Sequence, residues 1–285
     1  MINTYERLLT TYAYNILGSY EDAKDVVQDA YLKFMQVDGA AIENKKAYLI
    51  RSVINLSINK KNRQKRERAL YPGEWLPEPV ATENADSLLN RSEILSYSLM
   101  VLLEKLTAKQ RAVFILKEAF TYDHAEIAAA LDITEDNSRK LLSRAKEQLK
   151  GVDPVLASKE SLAYADKYLS VIQNADMEQL EKMLHDEIDV ISDGGGKAVA
   201  FRKPVRGKTA VMKLLRGIYQ KYYAHIRIKE LMINHEPALG YFDNGKLVNC
   251  QVFSLQQGRL SHTYFIRNPD KLKELEKNLS ETVTF

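Results

Sequence analysis

The sequence is poor in cysteine and in long apolar runs, and each shortage excludes a class of protein. Cys250 is the only cysteine, which excludes an intrachain disulfide and a cysteine-based zinc site. No apolar run approaches the roughly eighteen residues that a membrane-spanning helix needs, so we expect none. The N-terminal segment lacks a basic stretch followed by a long apolar one. We therefore expect no signal peptide and a cytoplasmic protein.

The composition is that of a soluble, globular chain with more than one domain. The chain has 285 residues, of which 45% are hydrophobic and 28% are charged. Helical periodicity, a stretch rich in proline and acids, and a later change to strand-like alternation divide it into parts. We predict an all-α domain over residues 1–70, a linker over 71–91, a second all-α domain over 92–151, a linker over 152–158 and an α+β domain over 159–285.

Positive charge is concentrated in one predicted helix. Residues 51–68 contain seven basic side chains and one acid, whereas the whole chain has a net charge of only +3. Leu49, Val53 and Leu56 form an apolar face, and the opposite face repeats asparagine and arginine, which suit phosphates and base edges. A solvated charged helix is the alternative. The predicted DNA-binding residues are Arg51, Asn55, Asn59, Lys60, Lys61, Asn62, Arg63 and Arg66.

An acidic stripe lies on the preceding predicted helix. Asp22, Asp25 and Asp29 recur at i, i+3 and i+7, opposite the apolar Val26 and Val27. Such a stripe suits a basic protein partner rather than DNA. The alternative is a helix start enriched in acids because of the helix dipole.

Residues 122–149 follow the pattern of a helix-turn-helix. Asp132 tolerates the left-handed conformation of the turn, and Thr134 is a suitable N-cap for the second helix. That helix turns Leu142, Ala145 and Leu149 inward. A structural three-helix unit is the alternative. The side chains predicted to face the major groove are Arg139, Lys140, Ser143 and Arg144.

These segments resemble two regions of bacterial sigma factors. LGSYEDAKDVVQDAYLKF with AYLIRSVINLSINKKNRQKR resembles region two, and LTAKQRAVFIL with SRKLLSRAKEQL resembles region four. The resemblance is to the compact extracytoplasmic-function group. It implies that Asp22, Asp25, Gln28 and Asp29 contact the β′ coiled coil of core RNA polymerase, that the asparagine- and arginine-rich helix faces the minus-ten element, and that the helix-turn-helix faces the minus-thirty-five element. The β flap of the polymerase is the second predicted contact.

The last 125 or so residues resemble a SnoaL-like domain, a cone fold of the nuclear-transport-factor-two-like type. We predict strands at IDVIS, AVAF, 226–233, 238–242, 247–255 and 260–267, and a helix over 208–223. Three short motifs mark a sigma-factor subgroup with such an extension: WLPEP, DGGGK and NPDKL. Local explanations are a proline linker, a turn and a helix start. The resemblance implies regulatory interdomain roles for Trp75, Leu76, Pro77, Asp193, Gly194, Gly195, Gly196, Lys197, Asn268, Pro269 and Asp270.

Several polar side chains in the C-terminal domain could serve as catalytic groups. The candidates are Asp189, Asp193, His225, His262 and Tyr264, but no pair has a spacing that demands catalysis. We expect no enzyme activity, no metal and no cofactor, while a small ligand in the C-terminal domain stays open. The sequence therefore predicts a sigma factor whose activity is modulated by its own C-terminal domain. The alternative is a helix-turn-helix regulator fused to a ligand-binding or isomerase-like domain.

Overall fold

The structure, a computed structural model, describes residues 5–37, 42–82, 89–149 and 162–280. The described residues form two compact units. A helical unit contains residues 5–37, 42–69, 89–95 and 99–149, and a C-terminal unit contains residues 70–82, 96–98 and 162–280. The predicted linker over 152–158 lies outside the described residues.

Seven helices of the described residues build the helical unit, although the first two residues of the fourth helix, Tyr97 and Ser98, belong to the C-terminal unit. Short 3₁₀ turns at Arg68–Leu70, Arg91–Glu93 and Leu103–Lys105 and a π-helical turn at Ile115–Ala119 connect or extend them. The helices are α1 (Glu6–Leu17), α2 (Tyr20–Gln36), α3 (Lys45–Glu67), α4 (Tyr97–Leu102), α5 (Ala108–Phe114), α6 (His124–Leu131) and α7 (Glu135–Gln148).

The boundary between α1 and α2 follows from two adjacent residues. Gly18 ends α1 in the left-handed conformation at φ 74°, which glycine adopts without a Cβ penalty. Ser19 then caps α2, because its side chain accepts a hydrogen bond from the Asp22 backbone N–H. A glycine followed by a serine is the local signal for such a boundary.

The C-terminal unit is a six-stranded sheet with helices. The strand order is β2-β1-β6-β5-β4-β3, with β1 and β6 parallel and the other neighbours antiparallel. The elements are α8 (Ala163–Gln173), α9 (Met177–Met183), β1 (Leu184–Asp193), β2 (Val205–Arg206), α10 (Lys208–Ile218) with a π-helical turn at Tyr219–Tyr223, β3 (Arg227–Ile233), β4 (Glu236–Asp243), β5 (Lys246–Gln256), β6 (Arg259–Ile266) and α11 (Pro269–Ser280).

The local sequence correctly predicts one hairpin turn of this sheet but wrongly predicts a strand in another segment. Asn244 and Gly245 form a two-residue hairpin at φ 50° and 82°, as the Asn-Gly pair predicts. The predicted strand at residues 198–201 is wrong, because this segment carries no strand. Its alternation of small and apolar residues reflects loop packing, since Phe201 is partly buried against the core while Val199 is 75% exposed.

The sheet has two distinct faces. On the inner face Phe253 packs against Tyr168 of α8 with ring centroids 4.7 Å apart, and a cluster of buried apolar side chains from α8, α9 and α10 covers it. On the outer face Tyr264 packs against Tyr97 with ring centroids 5.4 Å apart. In the part of the chain that the structure describes, no helix is both long and apolar enough to cross a membrane.

Candidate nucleic-acid interface

The acidic side chains of α2 differ in their surroundings: some are exposed on the helix surface, and Asp22 contacts the neighbouring helix α3. Asp25, Gln28 and Asp29 are exposed. Asp22 points toward α3, where Lys60 Nζ lies 2.7 Å from its carboxylate and Gln64 donates a hydrogen bond to it at 2.5 Å. Lys60 also reaches Asp25 at 3.0 Å, so it pairs with the acidic stripe instead of standing free for phosphate.

The predicted asparagine and arginine face of α3 is mostly exposed. Val53 and Ile54 are fully buried on the opposite side, which fixes the rotation of the helix. Asn55 is the partial exception. Its amide Nδ2 donates at 2.9 Å to the backbone carbonyl of Ala130 in α6. The exposed members of the predicted face are Arg51, Asn59, Asn62, Arg63 and Arg66.

Lys61, which the sequence groups with the predicted DNA-binding residues, does not belong to the exposed face. Its side chain is buried, with Nζ 2.7 Å from Glu104 Oε1 and 2.8 Å from the carbonyl oxygen of Leu17. Glu104 also accepts from Arg68 at 2.5 Å and from Arg111. One carboxylate therefore holds three cations inside the helical unit, and the positive run at residues 60–68 is partly internal.

The helix-turn-helix has the geometry that its sequence predicts. Asp132 is left-handed at φ 52°, and Thr134 caps α7 by accepting from the Asn137 N–H at 3.2 Å. His124 and Ser138 join the two helices through a 2.9 Å hydrogen bond. The four predicted groove-facing side chains are all exposed: Arg139, Lys140, Ser143 and Arg144.

The three sequence motifs of the C-terminal unit meet at Asp193, which is fully buried. Its carboxylate accepts from the Leu76 N–H at 2.9 Å, from Lys271 Nζ at 2.5 Å and from the Gly195 N–H at 2.9 Å. Its backbone oxygen accepts from the Asn268 N–H at 3.0 Å. WLPEP, DGGGK and NPDKL thus supply one hydrogen-bonded cluster, which we call the Asp193 cluster.

Two members of the Asp193 cluster escaped the sequence analysis. Tyr71 donates its hydroxyl to Asp193 at 2.5 Å and accepts from Asn268 Nδ2 at 3.0 Å. Lys271 lies 3.9 Å above the Trp75 ring and also donates to the Leu76 carbonyl. Nothing in the local pattern distinguishes Tyr71 from an ordinary loop tyrosine. For Lys271 the available signal was its place inside the NPDKL motif.

The glycines of DGGGK are required by close approach. A Cβ on Gly195 would lie 2.3 Å from the Asn268 side chain, and one on Gly196 would lie 2.8 Å from Pro72. Both glycines have positive φ angles, at 60° and 72°. The turn therefore accommodates the linker and the NPDKL segment because it carries no side chains.

The linker continues along the sheet of the C-terminal unit. Val80 exchanges two hydrogen bonds with Asn234, at 2.9 and 3.0 Å, and the Thr82 N–H donates to the Met232 carbonyl at 2.9 Å. The Pro77 carbonyl accepts from the Tyr97 hydroxyl at 2.8 Å. Residues 71–82 of the predicted linker are therefore an integral segment of the C-terminal unit, whereas residues 89–91 belong to the helical unit.

The residues considered as catalytic candidates from the sequence do not lie together on the inner face of the sheet. His262 and Tyr264 stack with ring centroids 6.1 Å apart on the outer face, and His225 is exposed. Asp189 lies 3.3 Å from Arg206 on the neighbouring strand. Asp193 is occupied by the linker contacts described above.

Comparison with known proteins decides the family. Residues 1–67 match the Sigma-70 region 2 family, and residues 96–149 match Sigma-70, region 4. The ECF RNA polymerase sigma factor SigJ of Mycobacterium tuberculosis is 30% identical over 279 residues, which cover 92% of this chain and 89% of SigJ. The chain belongs to the extracytoplasmic-function RNA polymerase sigma factors.

Two further similarities extend over nearly the whole sigma factor. The ECF sigma factor SigG of the same species is 26% identical over 294 residues, covering 90% of this chain and 78% of SigG. The crystal structure of M. tuberculosis SigJ matches with a TM-score of 0.78 at 25% identity, covering 95% of this chain and 96% of that chain. The predicted architecture of helical sigma domains followed by an α+β SnoaL-like domain is confirmed.

As a sigma factor, the protein binds core RNA polymerase and promoter DNA and directs promoter-specific transcription initiation. This identification supports the sigma-factor prediction over the alternative of a helix-turn-helix regulator fused to a ligand-binding or isomerase-like domain. The two helices predicted to face DNA, α3 and α7, belong to the two matched sigma regions.

Proposed function

We propose a division of labour among the exposed faces of the helical unit. The α2 face with Asp25, Gln28 and Asp29 docks on the β′ coiled coil of core polymerase, and region four docks on the β flap. The exposed α3 side chains face the minus-ten element, and α7 faces the minus-thirty-five element. On this proposal Asp22 has a different role, because it orients α3 through Lys60 and Gln64 instead of meeting the polymerase.

The composition of the α2 surface supports polymerase docking. Leu32 and Met35 follow the acids on the same side of the helix and are 52% and 68% exposed. Exposed apolar side chains beside a charged stripe are typical of a protein interface, where the charges guide association and the apolar groups contribute affinity.

We propose further that the helical unit opens when it meets polymerase. Two side chains of the predicted DNA face support this step, since Asn55 is bonded to α6 and Lys61 is buried against Glu104. Both contacts join region two to region four. In the compact arrangement these groups are withheld from DNA, so separation of the two regions would make them available.

The Asp193 cluster is the observation that carries the proposal for regulation. The segment between α3 and α4 is the chain connection between the two promoter-reading regions, and its Leu76 N–H and Tyr71 hydroxyl are bound to Asp193. A connection held in this way has less freedom than a solvated linker of equal length. The C-terminal domain therefore regulates how far regions two and four can separate.

The full-length Asp193→Asn variant tests this regulation. Asparagine keeps the size but lacks the charge that Lys271 needs. Its amide NH2 cannot accept a hydrogen bond, so it would oppose the donors at one of the two carboxylate positions. We expect the linker to be released, which the fluorescence of Trp75 reports because it is the chain's only tryptophan. Promoter-directed transcription with core polymerase should then differ from wild type several-fold.

The matched control is Asp186→Asn on the same strand. Asp186 is exposed and pairs with Lys208 at 2.5 Å, remote in sequence from the linker contacts. It should leave both fluorescence and transcription unchanged. If the Trp75 fluorescence of Asp193→Asn shows that the linker is released while transcription stays at the wild-type level, regulation through the linker is refuted. Point variants are preferable to deleting the domain, because deletion would expose the buried Leu76.

The placement of the C-terminal polar residues supports a regulatory rather than a catalytic domain. His262 and Tyr264 lie on the outer face, and Asp193 is engaged with the linker. We propose that this domain performs no chemistry, and that the protein works in the cytoplasm, where core polymerase is found. Turnover of an isomerase substrate by the full-length protein would contradict the first statement.

A further inference from the structure

The inner face of the sheet carries a polar row in otherwise apolar surroundings. Asn249 and Gln251 of β5 are two residues apart and share this face with Phe253. Gln251 is satisfied, since it accepts from the Tyr241 hydroxyl at 2.5 Å and donates to Thr263 at 3.1 Å. Asn249 is fully buried, yet neither its Oδ1 nor its Nδ2 has a hydrogen-bond partner among the described residues.

A second unsatisfied group lies beside Asn249. Cys250 pairs with Ile266, the last residue of β6, so the next residue, Arg267, follows the strand on the side of Asn249. Arg267 Nε is buried and has no hydrogen-bond partner in the described part of the chain, while Nη1 donates to the Val199 carbonyl at 2.6 Å. A buried polar atom without a partner is unfavourable, because it has lost its hydrogen bonds to water. An adjacent set of two such nitrogens and one such oxygen therefore indicates a missing partner.

The walls around this row are aromatic. Tyr241 pairs with Asn249 on the other neighbouring strand, and its ring lies 4.2 Å from that of Tyr223. The charge of Arg267 acts on Tyr223, where it opposes the rise in the pKa of the phenol that burial causes. Phe201 packs against the same apolar cluster. The combination is two nitrogen donors, one of them cationic, one amide acceptor, and apolar walls.

We propose that Asn249 and Arg267 form a binding site for a small organic acid with an apolar body and a hydroxyl group near its carboxylate. The carboxylate accepts from Arg267 Nε and Asn249 Nδ2, and the hydroxyl donates to Asn249 Oδ1. The apolar body lies against Tyr223 and Tyr241. Entry is past the segment around Val199, because Val199 is 75% exposed and Arg267 is only half-buried.

The site adjoins the Asp193 cluster through the backbone. The Arg267 N–H donates to the Asp193 carbonyl at 2.8 Å, and the Asn268 N–H donates to the same oxygen at 3.0 Å. A ligand that draws the Arg267 side chain inward would shift the backbone of Asp193, the residue that binds the linker. This coupling rests on the proposed regulation through the linker, whereas the binding itself does not.

Binding is tested with the full-length protein and three probes: mandelate, phenylacetate and phenylacetamide. Isothermal titration calorimetry and ligand-observed NMR measure the affinity of each probe. Trp75 fluorescence measures the midpoint of thermal unfolding with and without the probe. We expect mandelate to bind at millimolar or better affinity, as a fragment of this size does, phenylacetate more weakly, and the neutral amide at least about tenfold more weakly than mandelate. Failure of both acids to bind would overturn the proposal, and would favour a simple Asn249–Arg267 pair in solution.

Variants locate the site. Arg267→Gln should weaken mandelate binding at least about tenfold, whereas Arg259→Gln, at the exposed start of the same strand, should not. Asn249→Leu removes an unpaired buried amide, so it should raise the thermal midpoint without probe and abolish the shift that mandelate causes. Wild-type mandelate affinity in both Arg267→Gln and Asn249→Leu would overturn the assignment.

Transcription assays separate the site from its consequence. If mandelate binds and both variants abolish that binding, the site is established whatever transcription does. A mandelate-dependent change in promoter-directed transcription that Arg267→Gln removes would support coupling to the linker. Binding without any such change would contradict the coupling and leave the binding site intact.

Discussion

Lys61 of α3 and Glu104, which precedes α5, are joined by a 2.7 Å ion pair inside the helical unit. Burial and the neighbouring Arg111 lower the pKa of Lys61 well below its ordinary value. Burial works against the ionised form of Glu104, but Lys61, Arg111 and Arg68 outweigh it and lower the pKa of its carboxyl to about 2. The pair links the two sigma regions, so removing one partner weakens the contact between them.

Replacing Lys61 with methionine should favour the open form of the helical unit. Methionine keeps the apolar stem, while Glu104 retains Arg68 and Arg111 as partners. The closed arrangement loses one link between the regions. We therefore expect tighter apparent binding to core polymerase, by about three- to tenfold, because less free energy is spent on opening.

The matched control for this variant is Lys65→Met, one turn further along α3 at an exposed position. It removes the same charge without touching Glu104, so polymerase affinity should stay at the wild-type value. Fluorescence-anisotropy titration of labelled protein with core polymerase measures both. Equal affinities for the two variants would argue against opening as the step that Lys61 controls.

Charge reversal at Asp25 and Asp29 should weaken polymerase binding by at least about tenfold. Asp25 loses an ion pair with Lys60, but the Asp25 side chain is 65% exposed, so the free energy of unfolding should change by less than about 1 kcal/mol. Co-sedimentation with core polymerase and thermal denaturation give the two numbers. The control is reversal of Glu178 and Glu181, two exposed acids of α9. Undiminished polymerase affinity in the Asp25 and Asp29 variant would remove the docking face from α2.

Arg144→Ala should weaken binding of the minus-thirty-five duplex and reduce its salt dependence. One lost phosphate contact lowers the slope of log affinity against log salt by about 0.9. Lys146→Ala is the control, since Lys146 is also exposed on α7 but pairs with Glu118 at 2.8 Å. Titrations with polymerase holoenzyme at several salt concentrations would show the difference. An identical slope for both variants would place Arg144 outside the DNA contact.

Glu236 should make the C-terminal unit less stable as the pH rises from about 4.5 to about 7. Burial raises the pKa of this carboxyl from 4.5 to about 7, although Ser98 donates hydrogen bonds at 2.8 and 2.6 Å. The native state therefore binds this proton more tightly than the unfolded chain does. The resulting contribution to the free energy of unfolding is complete below pH 4.5 and is lost as the pH rises to about 7. The loss attributable to Glu236 is about 3 kcal/mol.

The Glu236→Gln variant isolates this contribution. Glutamine can accept from Ser98 at any pH, so its free energy of unfolding should lack the loss. Urea denaturation followed by Trp75 fluorescence at pH 4.5 and 7.5 gives the comparison. Wild-type and variant curves that stay parallel across the two pH values would contradict a buried, readily protonated Glu236.

Several parts of the structure could be predicted because their causes are local. The caps at Ser19 and Thr134, the left-handed Asp132 and the Asn244–Gly245 hairpin each depend on a few adjacent residues. The exposure of Arg139 and Arg144 follows from helical periodicity. The family resemblance added the two sigma regions and the SnoaL-like domain, which comparison confirms.

The tertiary structure decided the partners of the polar groups. Periodicity alone could not predict that Lys61 turns toward Glu104, because a basic residue beside a polar face is equally consistent with solvent or DNA. Periodicity also could not predict that Tyr71, Asp193 and Lys271 meet. Tyr71 and Asp193, for example, are more than a hundred residues apart in the sequence. The sequence by itself determined which helices form and which faces they present. Only the fold decided which charges are neutralised internally, because burial and pairing depend on distant segments of the chain.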